Sequence, residues 1–139
     1  MTKILVVDDE PDLLQLLVDD LTDQGFEVIT APDGGAALTQ IYMHRPDAVL
    51  LDLTMPVLTG CEVLIKLRRD PRMRDLPVIL LTAIQADDGE QIARMVGANR
   101  YVKKPWERQH LLSVIKSVLR DAEISGSPLD ENQPDRSAA

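Results

Sequence analysis

The chain has 139 residues, 45% of them hydrophobic and 27% charged, which is typical of one globular domain with a sizeable core. It lacks the run of about 18 apolar residues needed for a membrane-spanning helix. Acids within the first ten residues argue against a signal peptide, and a single cysteine excludes an internal disulfide. These features predict a cytoplasmic protein with no membrane association.

The net charge of −8 is unevenly distributed. Residues 1–60 contain eleven acids and two bases, whereas residues 100–120 contain six bases and one acid. The acidic first part argues against direct nucleic-acid binding by the domain. The basic stretch is typical of a solvated helix face, and it also suits a docking surface for a protein partner.

Strand and helix patterns alternate along the chain. Strands are predicted at residues 3–7, 26–30, 47–53, 77–83 and 100–104, from apolar runs bounded by turn residues. Five helices are predicted between and after these strands. The first runs from residue 11 to a stop at Gly25, the second covers 36–45 and the third covers 61–69. The fourth ends at about residue 96, and the fifth follows Pro105. The fourth helix has Asp87 or Asp88 as its candidate cap.

This alternation predicts an α/β fold: a doubly wound, five-stranded parallel sheet of the flavodoxin-like (βα)5 kind, with helices on both faces. The first, third and fourth strands are the most apolar and should be central. The order 2-1-3-4-5 satisfies this with right-handed crossovers. The domain is predicted to span residues 1–121, and residues 122–139, which lose periodicity, are predicted to be a disordered acidic tail.

Acidic residues stand at the ends of two central strands. The run ILVVDDE places Asp8 and Asp9 after the first strand, and Asp52 ends the third. These strands flank the point where the strand order reverses, and neighbouring strands lie about 4.8 Å apart. Each acid taken singly also suits a helix cap or a helix-dipole partner. Three carboxylates together favour a site for a hard divalent cation such as Mg²⁺.

Two further strand ends supply matching chemistry. Thr82 ends the fourth strand with a hydroxyl group, and Lys104 ends the fifth with a mobile positive charge. Phosphoryl transfer to Asp52 requires such a set, because a cation and Lys104 offset phosphoryl charge while Thr82 donates a hydrogen bond. The isomer of the Lys104–Pro105 peptide bond is left open.

With these residues the chain resembles the response-regulator receiver domain of two-component signalling. The motifs are VVDDE, LLDLTMPVLTG, LLTA and GANRYVKKP, and the resemblance covers residues 3 to about 121. It implies that Asp52 is the phosphoacceptor. It further implies that Mg²⁺, with Mn²⁺ as a substitute, is held by Asp8, Asp9, Asp52 and the backbone carbonyl of Thr54. Lys104 and Thr82 would contact the phosphoryl group, and Thr82 and Tyr101 would act as switch residues.

The resemblance also implies partners. A sensor histidine kinase or a histidine phosphotransfer protein would donate the phosphoryl group. Phosphorylation would alter the surface of helix 4, strand 5 and helix 5. That surface would then bind an unknown downstream protein or form a homodimer. The protein would catalyse only its own phosphorylation and dephosphorylation, not turnover of an external substrate. Arg100 stands where an acid is frequent and Trp106 where phenylalanine is usual, and both bear on the choice of partner.

Other functions fit the residues less well. A haloacid-dehalogenase-type phosphatase needs a second acid two residues after the nucleophile, where this chain has Thr54. A flavin carrier would not place acids in its phosphate loop, and no P-loop motif occurs. A receiver fold used only as an interaction scaffold, without phosphorylation, remains the alternative. The sequence also leaves open whether the domain acts alone or comes from a longer protein.

Overall fold

The computed structural model describes residues 1–53, 59–83 and 86–125. In this part of the chain strands alternate with helices from end to end. The strands are β1 (Lys3–Val7), β2 (Glu27–Ala31), β3 (Ala48–Asp52), β4 (Val78–Thr82) and β5 (Arg100–Lys103). The helices are α1 (Pro11–Asp23), α2 (Gly34–His44), α3 (Gly60–Arg69), α4 (Ala86–Val96) and α5 (Arg108–Ser125).

The strands form one parallel sheet in the order β2-β1-β3-β4-β5, which confirms the predicted fold class. β1, β3 and β4 are apolar except for one terminal residue each, because helices cover both of their faces; the exceptions are Lys3, Asp52 and Thr82. The register places Val7 beside Leu51 and Asp52 beside Leu81. The carboxyl ends of the three central strands therefore meet at one edge of the sheet.

Successive strand residues alternate between two apolar cores, one on each face of the sheet. One core holds Leu5, Val49 and Leu80 with side chains of α2, α3 and α4. The other holds Ile4, Leu50, Ile79 and Val102 with side chains of α1 and α5. A shift of one residue in any central strand would exchange the two sets, so packing fixes the register and with it the height at which each strand ends.

Three helix boundaries differ from the sequence predictions. α2 begins at Gly34 rather than residue 36, because Asp33 caps it by accepting a hydrogen bond from the Ala36 amide at 2.8 Å. α4 begins at Ala86, so Asp87 and Asp88 lie within its first turn and neither is the cap. α3 begins at Gly60, one residue early, behind a capping box at its N-terminus.

The last helix, α5, continues to Ser125, four residues beyond the predicted domain boundary at residue 121. Ala122 and Glu123 favour helix and extend it although the apolar periodicity has ended. The prediction of disorder for the rest of the tail falls on residues 126–139, outside the described residues. Among the helices that are described, none is long and apolar enough to cross a membrane.

Arg68 near the end of α3 ties that helix to its neighbours. Its guanidinium donates to the carbonyl oxygens of Gly97 and Leu76, both at 2.8 Å, and of Arg74 at 2.9 Å. It also donates to the side-chain oxygen of Asn99 at 3.1 Å. A cation at the C-terminus of α4 opposes the negative end of that helix dipole. Arg68 therefore fixes the chain between α4 and β5 against α3.

A second tie joins α2 to the segment after α3. The Tyr42 hydroxyl donates a hydrogen bond to the Asp70 carboxylate, and Arg72 pairs with the same carboxylate at 3.3 Å while lying 5.4 Å from the Tyr42 ring centre. These contacts lower the pKa of Asp70 to about 2, the Tyr42 hydrogen bond contributing most and those from Arg72 next.

Candidate functional site

The acids predicted to meet do lie together. One carboxylate oxygen from each of Asp8, Asp9 and Asp52 lies within 4.8 Å of the other two, and we call these three residues the acidic cluster. Asp8 follows β1 and Asp52 ends β3, so the neighbouring strands bring them side by side. Asp8 is fully buried and Asp52 is 4% exposed, whereas Asp9 is exposed.

Asp8 is held by main chain as well as by charge. Its amide donates to the carbonyl of Ala31 at 3.2 Å, continuing the pairing of β1 with β2 past the end of the strand. Its Oδ1 accepts a hydrogen bond from the backbone amide of Glu10 at 3.0 Å. Such local bonding is common for aspartate before a helix. The carboxylate is therefore fixed in position at the base of the acidic cluster.

Lys104 supplies the positive charge that the buried carboxylates need. Its Nζ lies 3.0 Å from Asp8 Oδ2 and 3.2 Å from Asp52 Oδ1. Burial by itself lowers the pKa of Lys104, but the hydrogen bond to Asp8 and the charges of Asp52 and Asp8 outweigh it, so the pKa is raised. Lys104 is therefore protonated at neutral pH and bridges the two carboxylates.

Thr82 reaches the same edge of the sheet from β4. It directly follows Leu81, the residue paired with Asp52, and it is 2% exposed. The amide of Lys104 donates to the Thr82 carbonyl at 2.6 Å, which aligns the ends of β4 and β5. The Lys104–Pro105 peptide bond, left open by the sequence, is cis.

Of the remaining predicted site residues, only Tyr101 is described by the structure. Tyr101 is half-buried in β5, opposite Leu80, and lines a surface cleft between α4 and α5. Thr54, predicted to offer its backbone carbonyl, is outside the described residues.

Gly60 contributes to the site in a way that the sequence analysis missed. A Cβ at this position would lie 2.3 Å from the Asp52 carbonyl oxygen and 3.0 Å from Leu53 Cα. Its amide donates to the Leu53 carbonyl at 3.0 Å. Only glycine lets the start of α3 approach the end of β3 this closely. A glycine directly before a predicted helix, in the loop that follows Asp52, was the available signal.

The donor set of the acidic cluster suits a small hard cation. Mg²⁺ binds oxygen at about 2.1 Å, so two ligands on opposite sides of the ion are about 4.2 Å apart. The three carboxylate oxygens of the cluster all lie within 4.8 Å of one another, so a move inward lets them share one ion, with waters completing its shell. Lys104 offsets part of the negative charge, and the excess that remains favours a divalent ion.

A doubly wound parallel sheet with buried aspartates, a threonine and a lysine at its switch point defines a signalling domain of the receiver type. A family model for the response regulator receiver domain matches residues 4–116. The chain belongs to this family, which is a family of signalling domains.

Many solved structures are similar in fold, including two from Vibrio cholerae and Pseudomonas aeruginosa PAO1. The chemotaxis protein CheY4 of Vibrio cholerae is 34% identical with a TM-score of 0.79, covering 85% of this chain and 98% of that one. The receiver domain of the sensor histidine kinase PA1611 of Pseudomonas aeruginosa PAO1 is 29% identical with a TM-score of 0.78, covering 85% and 97%. That second structure is described with a magnesium ion coordinated in its active site cleft.

Among sequence relatives, the alkaline phosphatase synthesis transcriptional regulatory protein PhoP of Bacillus subtilis (strain 168) is 37% identical over 133 residues. The match covers 96% of this chain but 54% of PhoP, so the chain spans about half the length of that curated relative.

Proposed function

We propose that this protein is a phosphorylation-dependent signalling switch in which Asp52 accepts a phosphoryl group. The donor would be a phosphohistidine of a sensor histidine kinase or of a histidine phosphotransfer protein, in the cytoplasm. The observation that carries the proposal is the position of Asp52: almost buried, next to Asp8 and Asp9, with Lys104 Nζ 3.2 Å from its Oδ1.

The chemistry would be an in-line displacement. A carboxylate oxygen of Asp52 attacks phosphorus, a P–O bond forms, the P–N bond to the imidazole breaks, and the departing imidazole takes up a proton. Mg²⁺ bound by Asp8, Asp9, Asp52 and the Thr54 carbonyl would neutralise charge on the phosphoryl oxygens, with Mn²⁺ as a substitute.

Lys104 and Thr82 would receive the transferred group. Lys104 already contacts the acceptor carboxylate, and it can exchange part of that contact for a charge-assisted hydrogen bond to a phosphoryl oxygen. Thr82, at the end of the neighbouring strand, would donate a second hydrogen bond from its hydroxyl group.

The signal would leave through the surface formed by α4, β5 and α5. Movement of Thr82 towards the phosphoryl group would open space that Tyr101 fills by changing rotamer. A shift of such a switch from about 1:99 to 99:1 needs roughly 5.5 kcal/mol of differential stabilisation, to which several charge-assisted contacts contribute. β5 joins the two ends of this route, because Tyr101 lies within it and Lys104 follows it.

Acetyl phosphate provides a direct test. The protein is incubated with acetyl phosphate and Mg²⁺, and its intact mass is measured. We expect a gain of one phosphoryl group that requires Mg²⁺ and is absent from Asp52→Asn but retained in Asp23→Asn, a control on the exposed end of α1. Failure of the wild-type protein to gain mass with any small-molecule donor or histidine kinase would favour the scaffold alternative.

A further inference from the structure

A pocket of about 430 Å³ lies between the first turns of α1 and the segment that joins β5 to α5. Most of its lining is apolar and consists of Leu13, Leu16, Ala83, Pro105 and Trp106. Two charged residues, Glu10 and Lys104, complete it. A pocket of this size and composition suits a small organic molecule. We call this surface the Leu16 pocket.

The walls of the Leu16 pocket are fixed by packing and by an ion pair. Leu13 and Trp106 are both half-buried and pack against the apolar core between the sheet and the helices α1 and α5. Arg108, at the start of α5, pairs with Asp20 of α1 at 3.6 Å. These contacts hold the two sides of the pocket together, so a ligand binds without first ordering the chain.

The charge that the pocket offers to a ligand is negative. The Nζ of Lys104 already contacts carboxylate oxygens of Asp8 and Asp52, at 3.0 and 3.2 Å. Glu10 is exposed and precedes α1 as its cap residue, yet its side chain makes no capping hydrogen bond. Its carboxylate also forms no ion pair with any residue that the structure describes. Glu10 is therefore the charge left for a ligand.

The neighbouring acidic cluster adds to this negative potential. Its three residues and Glu10 carry four negative charges, against one positive charge on Lys104. A divalent ion in the cluster would still leave the sum at about one negative charge. An anionic ligand is therefore disfavoured and a cationic one is attracted, with or without Mg²⁺.

The apolar residues complement a cation that has an apolar body. Trp106 supplies an indole ring, the side chain whose face attracts cations most strongly. Leu16 is 49% exposed although it is large and apolar, so it gains from being covered. A carboxylate, an indole and aliphatic side chains around one pocket are the groups that recognise a hydrophobic amine.

We propose that the Leu16 pocket binds a small organic cation with an apolar body, of the arylalkylammonium class. Its ammonium group pairs with Glu10 and lies against the indole of Trp106. Its apolar body packs against Leu13 and Leu16. This binding is separate from the proposed phosphorylation of Asp52 and does not require it.

Trp106 makes binding measurable, because it is the only tryptophan of the chain and lines the pocket. Three probes share one aromatic body and differ in charge: phenethylammonium, phenethyl alcohol and phenylacetate. Each is titrated into the full chain at low salt while Trp106 emission is recorded, with and without Mg²⁺. We expect phenethylammonium to bind about fivefold more tightly than the alcohol and phenylacetate to bind most weakly, and we expect Mg²⁺ to reduce this preference without abolishing it.

Substitutions at the two ends of the pocket locate the ligand. Glu10→Gln should bring the affinities for phenethylammonium and the alcohol within about twofold of each other. Asp12→Asn, the same loss of charge on the exposed first turn of α1 outside the pocket lining, should leave the fivefold preference in place. Leu16→Gln keeps a helix-forming residue at an exposed position and should weaken both probes about threefold.

Equal affinity for phenethylammonium and the alcohol, or tightest binding of phenylacetate, would overturn the proposal. The absence of a saturable change in Trp106 emission with phenethylammonium would also overturn it. Displacement of phenethylammonium by Mg²⁺ in a wild-type protein and in Glu10→Gln alike would assign the cation to the acidic cluster and not to the Leu16 pocket. Unchanged affinities in Leu16→Gln would exclude the apolar contact.

Discussion

Lys104→Met is the substitution whose consequence follows most directly from the geometry. Lys104 Nζ contacts Asp8 at 3.0 Å and Asp52 at 3.2 Å, and those carboxylates are 0% and 4% exposed. Methionine keeps most of the apolar stem but removes the charge, so two nearly buried carboxylates lose their shared cation. Breaking a buried ion pair by removing one partner costs about 3–5 kcal/mol.

The lower end of this range applies, because the Lys104 side chain is 19% exposed. Water can therefore partly replace the hydrogen bonds that the lysine makes to the two carboxylates. We expect Lys104→Met to lose about 3 kcal/mol of unfolding free energy, which moves the urea midpoint down by roughly 1.5 M. The assay is equilibrium urea unfolding without divalent ions, with Lys103→Met, the exposed neighbour, as the matched control.

Magnesium provides a second readout for the same variant. Loss of the lysine charge should strengthen Mg²⁺ binding by the acidic cluster, and a Mg²⁺ concentration ten times its Kd adds about 1.4 kcal/mol to stability. Lys104→Met should therefore gain more from Mg²⁺ than the wild-type protein does. An unchanged urea midpoint in metal-free buffer would refute the conclusion that Lys104 neutralises the buried carboxylates.

Three further substitutions test contacts that hold the fold together. Arg68→Met should lose about 2 kcal/mol in urea unfolding, because four acceptors lose their donor, whereas exposed Arg69→Met should lose little. Gly60→Ala should cost about 1–3 kcal/mol and slow phosphorylation by acetyl phosphate, since its Cβ would meet the Asp52 carbonyl. The pKa of Asp70 is lowered to about 2, so this group stabilises the fold above about pH 4 and ceases to do so as the pH falls towards 2. Asp70→Asn should flatten the plot of unfolding midpoint against pH between about pH 4 and pH 2. A plot identical to that of the wild-type protein would contradict the conclusion that ionised Asp70 stabilises the fold.

The order of elements and the identity of the acidic cluster could be predicted from the sequence because both depend on local patterns. Apolar runs mark the buried strands, and parallel strands place the residues that follow them at one edge of the sheet. Asp8, Asp52, Thr82 and Lys104 each lie within one residue of the end of a predicted strand, so the strand order alone was enough to bring them together.

Adjacent residues acquire different environments only in the folded chain. Asp8 and Asp9 are neighbours in sequence, yet Asp8 is fully buried against Lys104 while Asp9 is exposed. Successive side chains point in different directions at the end of a strand, and which of them meets the lysine depends on the packing of β5 beside β4.

The sequence by itself determined the fold class, the sheet order and the strand ends at which Asp8, Asp52 and Lys104 stand, since strand and helix periodicity encode them locally. The tertiary structure decided the hydrogen bonds made by Arg68, the close approach of Gly60 to Asp52, and the cleft in which residues of α4, β5 and α5 meet. Each of these depends on contacts between residues far apart in the chain, whose distances follow from packing and not from local periodicity.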